Sequence, residues 1–276
     1  MSPRQTPAWQ EALAQVPGAH ASPDVVVTAL AGGTANATFR VATGEGAFVV
    51  RLHAPYTTDL GVDRRREAVL HAAAAAAGLA SRVIAADPQG RYLVSEFLDG
   101  SPWQVADLSD AARLLQLAQT LGQLHGLSAP VVPPLDLAAL LDRHVDSIAA
   151  LDLDAGRLLA PQVAQARDIL ARQADAGRAA CIVHGDPAHS NLIGTRPLRL
   201  IDWEYASVGD PLIDPACLLA YYPQVLPHAK LLLHGCGLAG SVTVASLTDL
   251  ACVYRLASDL WFRRLELARR HPPPAH

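Results

Sequence analysis

The chain has 276 residues, 51% of them hydrophobic, enough to bury a substantial core in one two-lobed unit rather than in several independent modules. A formal net charge of −4 excludes a strongly basic nucleic-acid binder and gives no electrostatic reason to dock on an anionic membrane. A small soluble ligand is the expected partner. Cys181, Cys217, Cys236 and Cys252 form no CxxC pair, so they read as reduced, mostly buried thiols rather than a zinc site or a disulfide framework.

Residues 1–15 lack a basic segment followed by an apolar stretch, so no secretory signal is expected and the chain is read as cytoplasmic. From there the first third is strand-rich. Residues 25–30, 37–41 and 47–52 are dense in β-branched and aromatic side chains and are separated by Gly32-Gly33 and by Gly44-Glu45-Gly46, the pattern of an antiparallel meander. A helix is expected over 64–80, with Gly78 as its stop, and its triple Arg64-Arg65-Arg66 reads as a solvated face. The alanine run at 72–77 is far shorter than the roughly 20 residues that span a bilayer. Residues 92–98 return as a strand before the turn at Asp99-Gly100, where the boundary between lobes is expected: 1–98 and 99–276, with a core of about 25–265.

Beyond Ser109 the apolar spacing becomes helical, with Leu114, Leu117, Ala118, Leu121 and Leu124 on one face. Pro130 and Pro134 bound a break, and further helices are expected at 136–151 and 161–176. Residues 179–183 read as a short buried strand, and 215–222, 226–233 and 247–270 are again helical. The expected class is α+β, with a bilobal arrangement of an antiparallel sheet and a mainly helical lobe.

The densest chemical information lies between Ile182 and Asp214, in IVHGDPAHSNLIGTRPLRLIDWEYASVGDPLID. Asp186 follows a buried strand and Gly185, so its carboxylate is expected on a tight loop, where it can accept the proton of an attacking hydroxyl. Asn191 stands five positions later, and Asp202 closes a second apolar run; a hairpin through 194–198 would bring both to one end. Their oxygens would then hold a divalent cation on nucleotide phosphates. Turn or capping roles are the alternatives for these three residues.

HGDPAHSN followed by LIDWEYASVGDPLIDPA resembles the aminoglycoside phosphotransferase and choline kinase superfamily, whose motif is HGDxxxxN followed by a hydrophobic-Asp segment. The resemblance covers nearly the whole chain. It implies a protein-kinase-like fold, ATP as donor and Mg²⁺ as cofactor, with Asp186 as base, Asn191 and Asp202 as metal ligands, and His184 as a structural residue of the loop. LAGGTANATFRV resembles the nucleotide-covering loop of that family, with Gly32 and Gly33 letting amides approach phosphates and Asn36 near the tip. Arg51 stands where many relatives have Lys, and Glu67 is its expected ion-pair partner. Glu96, Phe97 and Leu98 resemble the inter-lobe hinge, where backbone groups would contact adenine.

For the acceptor, IDWEYA resembles the choline/ethanolamine and thiamine kinase branches more than typical aminoglycoside kinases. Glu204, Tyr205 and Trp261 are the candidate contacts of a cationic alcohol, through ion pairing and aromatic faces; for Trp261 a core position is the alternative. An aminoglycoside or sugar kinase of the same superfamily and a nucleotide-binding pseudokinase scaffold are the other readings. Asp210 and Asp214 are expected to brace the loop and cap the next helix.

Overall fold

The computed structural model describes residues 4, 6–20, 24–31, 36–54, 57, 60–174 and 176–270. An amino-terminal helix, α1 (Pro7–Ala14), was not anticipated from the strand-rich composition around it. Thr6 caps it by accepting from the Trp9 amide at 3.2 Å, and Pro7 occupies the first turn, where its missing N–H costs nothing.

Strands β1 (Val26–Leu30), β2 (Ala37–Thr43) and β3 (Gly46–Leu52) form the expected meander. After α2 (Arg64–Ala76), strands β4 (Val83–Ala86) and β5 (Tyr92–Glu96) complete an antiparallel sheet of order β1-β2-β3-β5-β4. Strand β4 lies at the edge; its short VIAA sequence gave no alternation to read. Trp9, Ala12 and Val16 pack with Phe39, Val50 and Val94 in a small core of their own. Structured packing therefore begins well before residue 25, the expected start of the core.

The remainder is mainly helical: α3 (Ala111–His125), α4 (Leu137–Ala149), α5 (Leu153–Ala174), α6 (Ile213–Tyr221), α7 (Ala229–Gly235) and α8 (Val244–Arg270). The expected apolar face of α3 is buried in full. Helix α5 starts eight residues before Pro161, because the Asp152 side chain caps its first turn by accepting from the Ala155 amide at 2.9 Å. Pro161 thus sits inside the helix rather than opening it. Two short antiparallel pairs, β6 (Cys181–Val183) with β9 (Ser207–Gly209) and β7 (Leu192–Ile193) with β8 (Arg199–Leu200), are inserted between α5 and α6. They carry the loop singled out above. Among the described residues, no helix is long and apolar enough to cross a membrane.

Leu70 and Ala74 of α2 pack into the large helical core rather than into the small one. Helix α2 therefore joins the sheet to the helical lobe, and its first turn faces the cleft between them.

Candidate active site

The loop after β6 is shaped by two short-range requirements. Gly185 has φ +78°, and a Cβ there would stand 2.5 Å from the Tyr205 carbonyl oxygen, so only glycine fits. Its amide and that of His184 donate to the buried carboxylate of Asp214 at 2.8 and 3.1 Å. His125, at the end of α3, lies 2.8 Å from the same carboxylate. Burial opposes the charged form of Asp214, yet the His125 hydrogen bond and the Gly185 amide outweigh it and hold the carboxyl below its usual range. Asp210 is bound by Arg178 and accepts from the Leu212 amide at 2.9 Å. Asp214 braces the loop, as expected, whereas Asp210 ties the segment before β6 to the turn before α6. Neither caps α6: its N-cap position is Leu212, which has no side-chain cap, and Asp214 lies inside the helix.

His184 is fully buried, with Nε2 3.0 Å from the Ile201 carbonyl and its ring edge-on to Trp203 at 4.7 Å. Burial depresses its pKa, keeping it neutral. It ties the Asp186 loop to the segment that ends in Asp202.

Asn191 and Asp202 are brought together by the β7–β8 hairpin, whose register pairs Leu192 with Leu200 and continues through an Ile201 amide to Asn191 carbonyl bond of 2.9 Å. Asp202 has φ 64° and ψ 69°, a left-handed backbone that turns its carboxylate back toward the cleft. Asn191 donates through Nδ2 to the Asp186 carboxylate at 2.9 Å, which leaves its carboxamide oxygen for another partner. Burial first, and the Asp202 carboxylate second, push the Asp186 carboxyl up to about 7, against the lowering effect of that hydrogen bond.

From the sheet side, Arg51 on β3 pairs with Glu67 of α2 and also with Asp202. The anticipated Arg51–Glu67 pair is present, and Glu67 is 0% exposed. The arginine triple is not a solvated face. Arg65 is exposed, but Arg64 reaches Glu67 and Glu204, and Arg66 donates to the Ala206 carbonyl at 3.0 Å. Helix capping by Asp63, which accepts from the amides of Arg65 and Arg66, fixes the first turn of α2, on which Arg64 and Arg66 point inward and Arg65 outward.

Glu204 accepts from Asn36 at 2.8 Å and from Arg64 at 3.1 Å. Asn36 therefore turns toward Glu204 rather than standing free above the cleft, while Gly32 and Gly33 lie outside the described residues. Glu96 pairs with Arg82 through an exposed side chain, and the Phe97 amide bonds the Ala47 carbonyl at 2.9 Å, which carries the β5–β3 pairing one residue beyond β5.

Asp186, Asn191, Asp202, Arg51, Asn36, Glu204, Tyr205 and Trp261 all line one cavity of about 410 Å³ between the sheet and the helices. Its far wall is apolar and aromatic. Leu137 and Leu140 come from α4, and Trp261 and Phe262 from α8. The Trp261 ring meets Tyr205 at 6.1 Å and Phe262 at 4.9 Å, both near perpendicular. Trp261 is thus a wall residue, half-buried. Gly61, from the segment before α2, closes the top: a Cβ there would stand 2.8 Å from Leu140 Cδ1.

Leu137, Leu140, Tyr221 and Tyr254 escaped sequence reasoning. Helical spacing identifies a buried face but not the partner it meets. Tyr254 also supports the loop, donating to the Gly185 carbonyl at 2.8 Å.

The oxygen set suits a hard cation shared with phosphates. Asn191 keeps its Oδ1 free, and Asp202 is 39% exposed toward the cleft with one oxygen on Arg51. Among the described residues no group of three or more His, Cys, Asp or Glu could hold a metal.

Residues 26–232 match the profile of the APH family, described as the phosphotransferase enzyme family. No curated protein sequence matches the chain. In fold it is similar to a choline/ethanolamine kinase family protein from Mesorhizobium loti, at TM-score 0.73 and 23% identity over 97% of this chain and 89% of that one. It is also similar to the choline kinase LicA from Streptococcus pneumoniae, at TM-score 0.73 and 17% identity over 92% and 89%. The ADP-bound aminoglycoside phosphotransferase APH(2'')-Ib aligns at TM-score 0.62 and 15% identity over 99% and 93%.

Proposed function

The chain belongs to the phosphotransferase enzyme family, a small-molecule kinase of protein-kinase-like fold, and from that membership we propose that it transfers the γ-phosphoryl group of ATP to the hydroxyl of a small cationic alcohol. Choline, ethanolamine and thiamine are the candidate types. The observation that carries the reading is one cavity lined both by Asp186, Arg51, Asn191 and Asp202 and by the aromatic cluster of Tyr205, Trp261 and Phe262.

Arg51, held by Glu67, would meet the donor phosphates with a planar fork. The carboxamide oxygen of Asn191 and the carboxylate of Asp202 would hold Mg²⁺. When bound, that cation neutralises charge developing on the phosphates. Asp186 orients the acceptor hydroxyl and takes its proton as the oxygen bonds to the γ-phosphorus and the bond to the ADP oxygen breaks. The tight turn at Gly185 and the Asn191 amide fix where that carboxylate stands.

The acceptor body faces aromatic rings, which attract a cation through their faces. Of the three carboxylates that line the cavity, Glu204 and Asp202 are already engaged by Arg64 and Arg51, and Asp186 is assigned to the acceptor hydroxyl. A quaternary or ring-borne cation, with no N–H donors to satisfy, fits this wall better than a primary amine or a polycation. The apolar wall also weighs against the second reading, an aminoglycoside or sugar kinase. A cytoplasmic setting belongs to the proposal, since ATP is available there and the four cysteines are free thiols.

A coupled ADP-release assay with choline, ethanolamine, thiamine, aminoglycosides and hexoses tests it. Turnover with a quaternary or thiazolium alcohol above the alcohol-free rate is expected. Turnover confined to aminoglycosides or hexoses would sink the acceptor assignment, and no Mg-ATP turnover with any alcohol would sink the donor chemistry.

A further inference from the structure

Arg64 has no direct part in the chemistry just described, and it is not among the residues lining the cavity. Its side chain is nevertheless only 8% exposed and reaches four segments of the chain. Nη1 donates to Glu67 at 2.8 Å and to Glu204 at 3.1 Å. Nη2 donates to Asn36 at 3.1 Å and to Thr57 at 2.8 Å. The first partner lies on α2, the second in the turn after Asp202, the third at the entry to β2, and the fourth in the segment that leads to the Gly61 contact with α4.

These bonds close a ring. Arg51 pairs with Glu67, Glu67 with Arg64, Arg64 with Glu204, and the chain runs back through Trp203 to Asp202, which pairs with Arg51. Two arginines alternate with three carboxylates, so the two buried ones, Glu67 and Glu204, each face a cation, as buried charges must. Without Arg64, Glu67 and Glu204 would have Arg51 as the remaining cation of the ring. Arg51 would then be drawn away from the position that faces the cleft.

Resting on the kinase reading, we infer that Arg64 is a positioning residue for nucleotide binding: through Glu67 and Glu204 it fixes where Arg51 and Asp202 stand. A planar fork with donors on two nitrogens serves four acceptors, whereas an ammonium has three donors on one nitrogen. The role is therefore specific to arginine.

Calorimetric binding of Mg-AMP-PNP to wild type, Arg64→Gln, Arg51→Gln and the double variant provides the test. Arg64→Gln is expected to weaken binding about 10-fold. If Arg64 acts through Arg51, the double variant should bind within about 2-fold of Arg51→Gln alone, the non-additivity of residues in one network. Arg64→Lys should recover only part of the loss. Independent, multiplicative losses, or unchanged binding by a less stable Arg64→Gln, would overturn the inference. Should Arg64→Gln fail to fold, Thr57→Val removes one of the four contacts: binding about 2-fold weaker supports the role, and unchanged binding overturns it. Absence of Mg-AMP-PNP binding by folded wild type would remove the kinase reading itself, and this inference with it.

Discussion

Asn191 donates its carboxamide N–H both to the Asp186 carboxylate at 2.9 Å and to the Asp186 carbonyl at 3.0 Å. A single side chain thus aims the proposed base and presents an oxygen to the proposed cation. The two tasks cannot be separated by truncation. Asn191→Ala is expected to lower kcat by about 10²-fold or more while raising the Mg²⁺ concentration needed for half-maximal rate. Steady-state kinetics over a Mg²⁺ series would check this; a normal rate at high Mg²⁺ would leave the amide with a cation-binding role alone.

Asp186→Asn should cost about 10²- to 10⁴-fold in kcat, the range of a lost general base. Its stability effect has the opposite sign. The wild-type carboxyl titrates near 7 when folded, against an ordinary value of 3.8, so its protonated form contributes stability below about pH 4 that is lost as pH rises through 7. Asn cannot ionise. Without Mg²⁺ or nucleotide, the variant should melt about 2–6 °C above wild type at pH 8, with the gain shrinking toward pH 4. Melting curves across that range are decisive, and a gain that grows with acidity would contradict the raised carboxyl.

Gly185→Ala would place a methyl group 2.5 Å from the Tyr205 carbonyl on a backbone at φ +78°. Destabilisation of about 2 kcal/mol or more is expected, along with loss of activity, because the loop must shift to relieve the contact. Urea unfolding measures the first effect. A change below about 0.5 kcal/mol would mean the loop adapts at no cost.

Trp261→Ala should raise KM for the alcohol about 10- to 30-fold and leave KM for ATP unchanged, consistent with about 2 kcal/mol from a desolvated cation–aromatic contact. Trp261→Phe should recover much of the loss. Equal changes in both KM values would instead assign the indole to general packing.

Asp186, Asn191 and Asp202 were legible because short-range rules place them: a buried strand into glycine, a two-strand hairpin, and a fixed count of residues between. The Arg51–Glu67 pair was anticipated from the resemblance, since kinases pair a strand cation with a helix carboxylate. The aromatic wall was only partly so, because Tyr205 and Trp261 stand 56 positions apart and nothing local says that α8 crosses behind the Asp202 turn. Arg64 and Arg66 were misread for a related reason. Three adjacent arginines look like surface, and nothing in the triple itself says which of them point inward. Helix α1 was hidden by its brevity; eight residues hold too few turns for a period to emerge.

The left-handed backbone of Asp202 limits how this site can be altered. At φ 64° glycine, asparagine, aspartate and histidine are the favoured residues, and aspartate alone of these carries a carboxylate. Lengthening the side chain to glutamate would therefore change the backbone as well as the reach. Neutralising it to asparagine would keep the backbone but leave Arg51 facing an amide. Substitution cannot vary charge, reach and conformation independently at this position, so the proposed donor side has little room for gradual retuning.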